Sequence, residues 1–208
     1  GDPVALGRGL LRQAEVPPAV PATRYAPSPL IDSAAGRGLA IYRLLSLVYA
    51  SVVVWTHRAD LDAPWVAVAV LLVLLAWSLV APLLPRPTRL AIVVETAIAV
   101  GAVLATNLAY SPDAVAGGVP TIPTNWSASA VMAGALYSGI RGGLLVAVVV
   151  AVSNLVQAEP ESALTYHNIV LLLLLGALVG LAVNLARESQ VRLEAAITAS
   201  ARLASCWK

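Results

Sequence analysis

Asn168-Ile-Val-Leu-Leu-Leu-Leu-Leu-Gly-Ala-Leu-Val-Gly-Leu-Ala-Val183, continued without a Pro or a Gly by Asn184-Leu-Ala-Arg-Glu-Ser-Gln-Val-Arg-Leu-Glu-Ala-Ala-Ile-Thr-Ala-Ser-Ala-Arg-Leu-Ala204, is the stretch that decides the fold. At about 1.5 Å per residue its first half crosses most of a hydrocarbon core as a helix. Its second half is rich in good helix formers and carries Arg187, Glu188, Arg192, Glu194 and Arg202, so it belongs in water. An unbroken helix that leaves the bilayer can carry a displacement outward as a rod. Leu193, Ala196 or Ile197, Ser200 and Leu203 fall at three-four spacing along it, a thin apolar stripe that fits either a two-stranded coiled coil or an amphipathic helix lying on the membrane.

Working outward, the chain of 208 residues is 59% hydrophobic and 12% charged, with mean hydropathy +0.83. A soluble domain of this size could not cover so much apolar surface with so few charges. The expected fold is therefore all-α, a polytopic integral membrane protein. Six apolar segments stand out: Leu39–Trp55, Trp65–Leu84, Leu90–Ala109, Trp126–Ile140, Leu144–Gln157 and Asn168–Val183. The fourth and fifth are short of the usual length, and Arg141-Gly142-Gly143 between them predicts a tight antiparallel turn. Three regions follow: a mobile Pro-rich tail over 1–36, a six-helix transmembrane domain over 37–183, and a signalling helix over 184–208. Gly1 in place of Met, and the change of pattern at Ser205-Cys206-Trp207-Lys208, read as a fragment or a truncated product.

Arg8, Arg12, Arg24, Arg37, Arg43, Arg86, Arg89, Arg141, Arg187, Arg192, Arg202 and Lys208 all fall on one side of a six-span topology. The positive-inside rule makes that side cytoplasmic, with both termini there and the chain multi-pass in the plasma membrane. Net charge +2 without a basic run argues against nucleic acid as a partner. The single Cys206 excludes an internal disulfide, and neither a metal-ligand motif nor any catalytic or nucleotide-binding motif is present.

Three groups of residues invite a role. Arg43 and Glu95 sit at similar membrane depth, where an ionisable group is expensive; they either pair and pin spans one and three or snorkel separately to the interface. Asn125, Trp126, Asn154, His167 and Asn168 could line an outward-facing ligand pocket, although Trp and Tyr also gather in interfacial belts. Gly176 and Gly180 share a helix face and permit close approach, either to another helix of the same chain or across a dimer seam.

Tyr137-Ser138-Gly139-Ile140-Arg141-Gly142-Gly143-Leu144-Leu145, then Val152-Ser153-Asn154-Leu155-Val156, then Asn168 to Gly176 running into Leu185-Ala-Arg-Glu188, resemble the membrane input region of MacS-type sensor histidine kinases of actinobacteria. Ile41-Tyr-Arg43-Leu-Leu-Ser-Leu-Val-Tyr49-Ala is similar too, and the likeness covers about Gly36 to Ala204. The resemblance implies a homodimeric sensor of a two-component system, whose exit helix leads to a kinase core that binds ATP and Mg and phosphorylates a response regulator. The histidine box and ATP-binding motifs of such a core are missing from this sequence, so no kinase role passes to any residue here. The competing class is the six-span substrate-binding subunit of a vitamin-type uptake transporter; a plain membrane anchor for a partner is the third.

Overall fold

The computed structural model describes residues 29–84, 88–123, 125–157 and 163–205. Seven α-helices account for nearly all of it: α1 Pro29–Thr56, α2 Pro64–Val80, α3 Arg89–Ala109, a short α4 Pro112–Ala116, α5 Ser127–Ser138, α6 Ile140–Gln157 and α7 Ala163–Ser205. The expected tail therefore falls outside the described residues up to position 28, and its last part is already helical. Cys206–Lys208 also lie outside.

Local chemistry sets the helix ends. Pro64 and Pro112 occupy first turns, where the missing N–H has no intrahelical partner to lose. Thr88 and Ser111 cap α3 and α4 by accepting from the N–H groups of Ala91 and Ala114. α5 and α6 are separated by Gly139 alone, at φ +67° and ψ −148°, a backbone region that is essentially closed to other residues.

Among the described residues five helices are long and apolar enough to cross a bilayer: Ala34–Thr56, Pro64–Leu83, Arg89–Ala109, Ile140–Gln157 and Tyr166–Ser200. This corrects the expected six. The fourth segment is α5, with 12 residues, which covers only about 18 Å of a hydrocarbon core about 30 Å thick. Pro120 and Pro123 cause the shortfall, since each lacks the N–H that a continuing helix needs.

The chain nevertheless descends the whole bundle beside α3. Ile122 N–H donates to the Thr106 hydroxyl, Ser129 Oγ donates to Glu95, and the Tyr137 hydroxyl accepts from Arg89. Those three partners step down α3 from its last turn to its first residue. The fourth passage is thus half non-helical backbone, in 119–123 and 125–126, and half helix. Irregular backbone at membrane depth is tolerated only where protein encloses it. Ile122 and Trp126 are accordingly both fully buried.

α5 is the hub, in contact with α1, α3, α6 and α7, while α2 closes the side between α1 and α3. Small residues make this possible: Ala50, Ala67, Ala99, Ala130 and Ala147 are fully buried. The outer faces carry exposed Ile41, Leu45, Val48, Leu90, Leu145 and Leu178, as lipid-facing surfaces do. The molecule has the make-up of a helical membrane protein, with both ends of the described chain leaving on the arginine-bearing end.

Candidate functional site

One turn of α1 and one of α3 place Arg43 and Glu95 opposite each other, 5% and 2% exposed. Arg43 donates twice to the carboxylate, Nε to Oε1 at 2.9 Å and a terminal amine to Oε2 at 2.6 Å. This fork geometry is what guanidinium offers and ammonium does not. Ser129, in the first turn of α5, donates a third bond to Oε1 at 3.1 Å. Two buried charges survive here because each is paired and hydrogen-bonded. The layer ties three helices that are far apart in sequence.

The same level holds two further polar links. Tyr42 donates to the Asn125 carbonyl at 3.0 Å, and Trp126 Nε1 donates to Ser78 Oγ at 3.1 Å. Ser78 in turn donates to the Leu74 carbonyl. The non-helical passage is thereby fastened to α1 and α2 just before α5 begins.

At its other end α5 is fastened to α7. Arg187 donates to the carbonyls of Leu136 and Tyr137 at 2.5 and 3.5 Å, two of the acceptors left open where a helix ends. Asn184 packs directly on Gly139. Deeper in, a Cβ built on Gly176 would lie 2.7 Å from the Gly143 carbonyl oxygen, and one on Gly180 would collide with the Ile140 backbone. Gly176 and Gly180 therefore face α6 of the same chain, the internal one of the two neighbours that their spacing left open.

The expected outward pocket is not assembled. Asn125 and Trp126 belong to the inner layer, fixed to Tyr42 and Ser78. Asn154 is buried in α6 and returns its amide N–H to the Val150 carbonyl of its own helix. His167 is exposed and Asn168 half-buried in the first turns of α7, at the opposite end from Arg187. The reason is the descent of the chain after Pro120, which carries Asn125 and Trp126 away from that end. Among the described residues an apolar groove of about 350 Å³ opens instead between α2 and α3, lined by Val66, Ala69, Val70, Val73, Ile98 and Gly101 among others. Among the described residues no three His, Cys, Asp or Glu converge on a point where a metal could sit.

Ser129, Tyr42, Ser78 and the capping role of Arg187 were not legible in the sequence. A hydroxyl in an apolar run usually returns to its own helix, as Ser51, Thr96 and Ser153 do here. Nothing in their spacing distinguishes Ser129 from these.

Comparison with characterised proteins and with solved structures returns no match. A family model described as a family of unknown function, DUF5931, matches residues 30–194, which takes in α1, the buried layer, the α5 hub and the point where α7 leaves the bundle; the chain belongs to that family.

Proposed function

We propose that this chain is the membrane input region of a two-component sensor histidine kinase, in which α7 relays a membrane or envelope stimulus to a kinase core. The observation that carries the reading is α7 itself, a single helix of 43 residues. It packs on α5 and α6 and then runs on exposed from Val191 to Ser200. Past Asn184 it has no Pro or Gly at which motion would be lost. α5 supplies the input: its first turn holds the Arg43–Glu95 layer and its last turn is gripped by Arg187, so a shift of α1 against α3 reaches α7 through one rigid half-helix.

In this reading the arginine-bearing end is cytoplasmic by the positive-inside rule. The chain works as a homodimer whose exit helices lie side by side, and ATP, Mg and the response regulator engage only the kinase core. The test is a fusion of residues 1–204 to the dimerisation and catalytic core of a histidine kinase, with one to seven alanines inserted after Ala195. Each insertion rotates the core by about 100° relative to the bundle. Autophosphorylation in membrane vesicles should rise and fall with helical period; output indifferent to the phase of the insert would refute the relay.

A second reading has one observation in its favour. A half-helix that starts inside the bundle after non-helical backbone is the construction with which transporters build substrate sites. Uptake of a small solute by vesicles carrying the chain and a cognate ATPase would move the transporter-subunit reading to first place.

A further inference from the structure

We infer that the arginine-bearing end holds the headgroup of an anionic phospholipid between α3 and α6, with Arg89 and Arg141 as the phosphate-binding residues. Arg89 is the first residue of one membrane-crossing helix and Arg141 the second of another. The two helices are packed neighbours. Both side chains are exposed, and the α5–α6 turn links them, because Arg89 Nε donates to the Tyr137 hydroxyl at 3.3 Å and Arg141 follows two residues after Gly139.

No carboxylate neutralises them among the described residues. Glu95 is taken by Arg43 inside the bundle, and Glu188 by Arg192 on the exit helix at 2.6 Å. Glu194 lies about 9 Å beyond Glu188 along α7. Two guanidiniums at a bilayer boundary, without acid partners, are an anion site of the kind that phosphodiesters occupy.

What selects a lipid over a free phosphate is the surface below each arginine. Val93 lies one turn from Arg89 on the same face of α3 and is 63% exposed. Leu145, Val149 and Val152 continue the face of Arg141 along α6, at 67%, 42% and 52%. Each arginine thus heads an apolar ridge that runs into the hydrocarbon, the shape of a headgroup with its acyl chains. Tyr137 positions Arg89 and does not touch the lipid.

Native mass spectrometry of the chain in neutral detergent, offered palmitoyl-oleoyl phosphatidylglycerol or phosphatidylcholine, tests this. Phosphatidylglycerol should be retained preferentially. Arg141→Gln should weaken it about fivefold and the Arg89→Gln/Arg141→Gln pair about 25-fold, from the usual contribution of a basic residue near a membrane surface. Tyr137→Phe keeps both charges and should stay within twofold, and far-UV circular dichroism identifies any variant whose loss reflects misfolding. If Arg89→Gln proves misfolded, Arg141→Gln and Arg141→Lys, which touch no partner, decide the matter alone. Equal retention of the two lipids, or undiminished retention by folded Arg141→Gln, overturns the inference. Displacement by millimolar inorganic phosphate would reassign the site to a soluble anion and overturn it equally.

Discussion

Replacing Glu95 by Gln keeps the side chain's shape and removes its charge, which makes it the sharpest probe of the buried layer. In the wild type the carboxylate accepts three bonds, two from Arg43 and one from Ser129. Gln has one acceptor oxygen, and its amide group turns two donors toward a guanidinium that has only donors to offer. Arg43, 5% exposed, is left as an uncompensated charge in an apolar bundle. Breaking a buried pair from one side costs about 3–5 kcal/mol, or roughly two to three and a half orders of magnitude in the folding equilibrium. Set against a total of about 5–15 kcal/mol for a typical domain, the loss is large. Removing both charges, as Arg43→Met with Glu95→Gln, leaves no orphan charge, and the double variant should be more stable than Glu95→Gln alone. The assay is reversible unfolding in mixed micelles with rising dodecyl sulfate, followed by circular dichroism, for the two single variants and the pair. A Glu95→Gln loss under about 0.5 kcal/mol, or single losses that add within about 0.5 kcal/mol in the pair, would refute a coupled buried layer.

Gly139→Ala must adopt a backbone region that costs about 1–3 kcal/mol and must displace Asn184, so its melting temperature should fall; Asn184→Ala in the same chain should restore only part of it. Gly176→Ile should destabilise the chain to the same extent at low and high protein concentration, since its contact is with Gly143 of the same molecule; a loss that appears only on dilution would return Gly176 to a dimer seam. Trp126→Phe removes the bond to Ser78 and should cost about 1 kcal/mol beyond the lost ring volume, which Ser78→Ala measured beside it checks. Tyr110, just past the end of α3, is 2% exposed, and its hydroxyl has no partner among the described residues; burial, with a smaller push from Asp60, raises its pKa from the usual 10.0. The folded state therefore keeps a proton that the unfolded state releases, so stability is unaffected below about pH 10 and falls as the pH rises beyond it. Tyr110→Phe should flatten that fall in alkaline melts, and an unchanged slope would show that another group is responsible.

The five long helices were legible because each is built on a long apolar run, and α7 because no Pro or Gly follows its apolar half. The fourth segment misled because Trp126–Ile140 is apolar enough to pass for a short span, although the half-length of α5 follows from Pro120 and Pro123 just upstream. Arg43 and Glu95 could be singled out as costly charges at one depth. Hydropathy left open whether they met, since depth along a helix says nothing about rotation around it. Gly176 and Gly180 announced close approach without naming the neighbour. The polar residues gathered at one end by a six-span diagram were misplaced for a related reason: a diagram puts Asn125 and Trp126 at the outer end of the fourth span, whereas the chain carries them into the interior.

Sequence alone determined the class of the molecule, its continuous exit helix and the end at which its arginines collect, because those properties depend on composition and on periodicity within single segments. Tertiary structure alone decided that α5 is a buried half-helix and that Ser129 completes the Arg43–Glu95 layer. It also decided that Arg187 closes the end of α5 and that the glycines of α7 face α6. These depend on how helices turn about their own axes and which neighbours they meet. That is settled by the joint packing of small residues and the pairing of every buried polar group, and no single segment contains it.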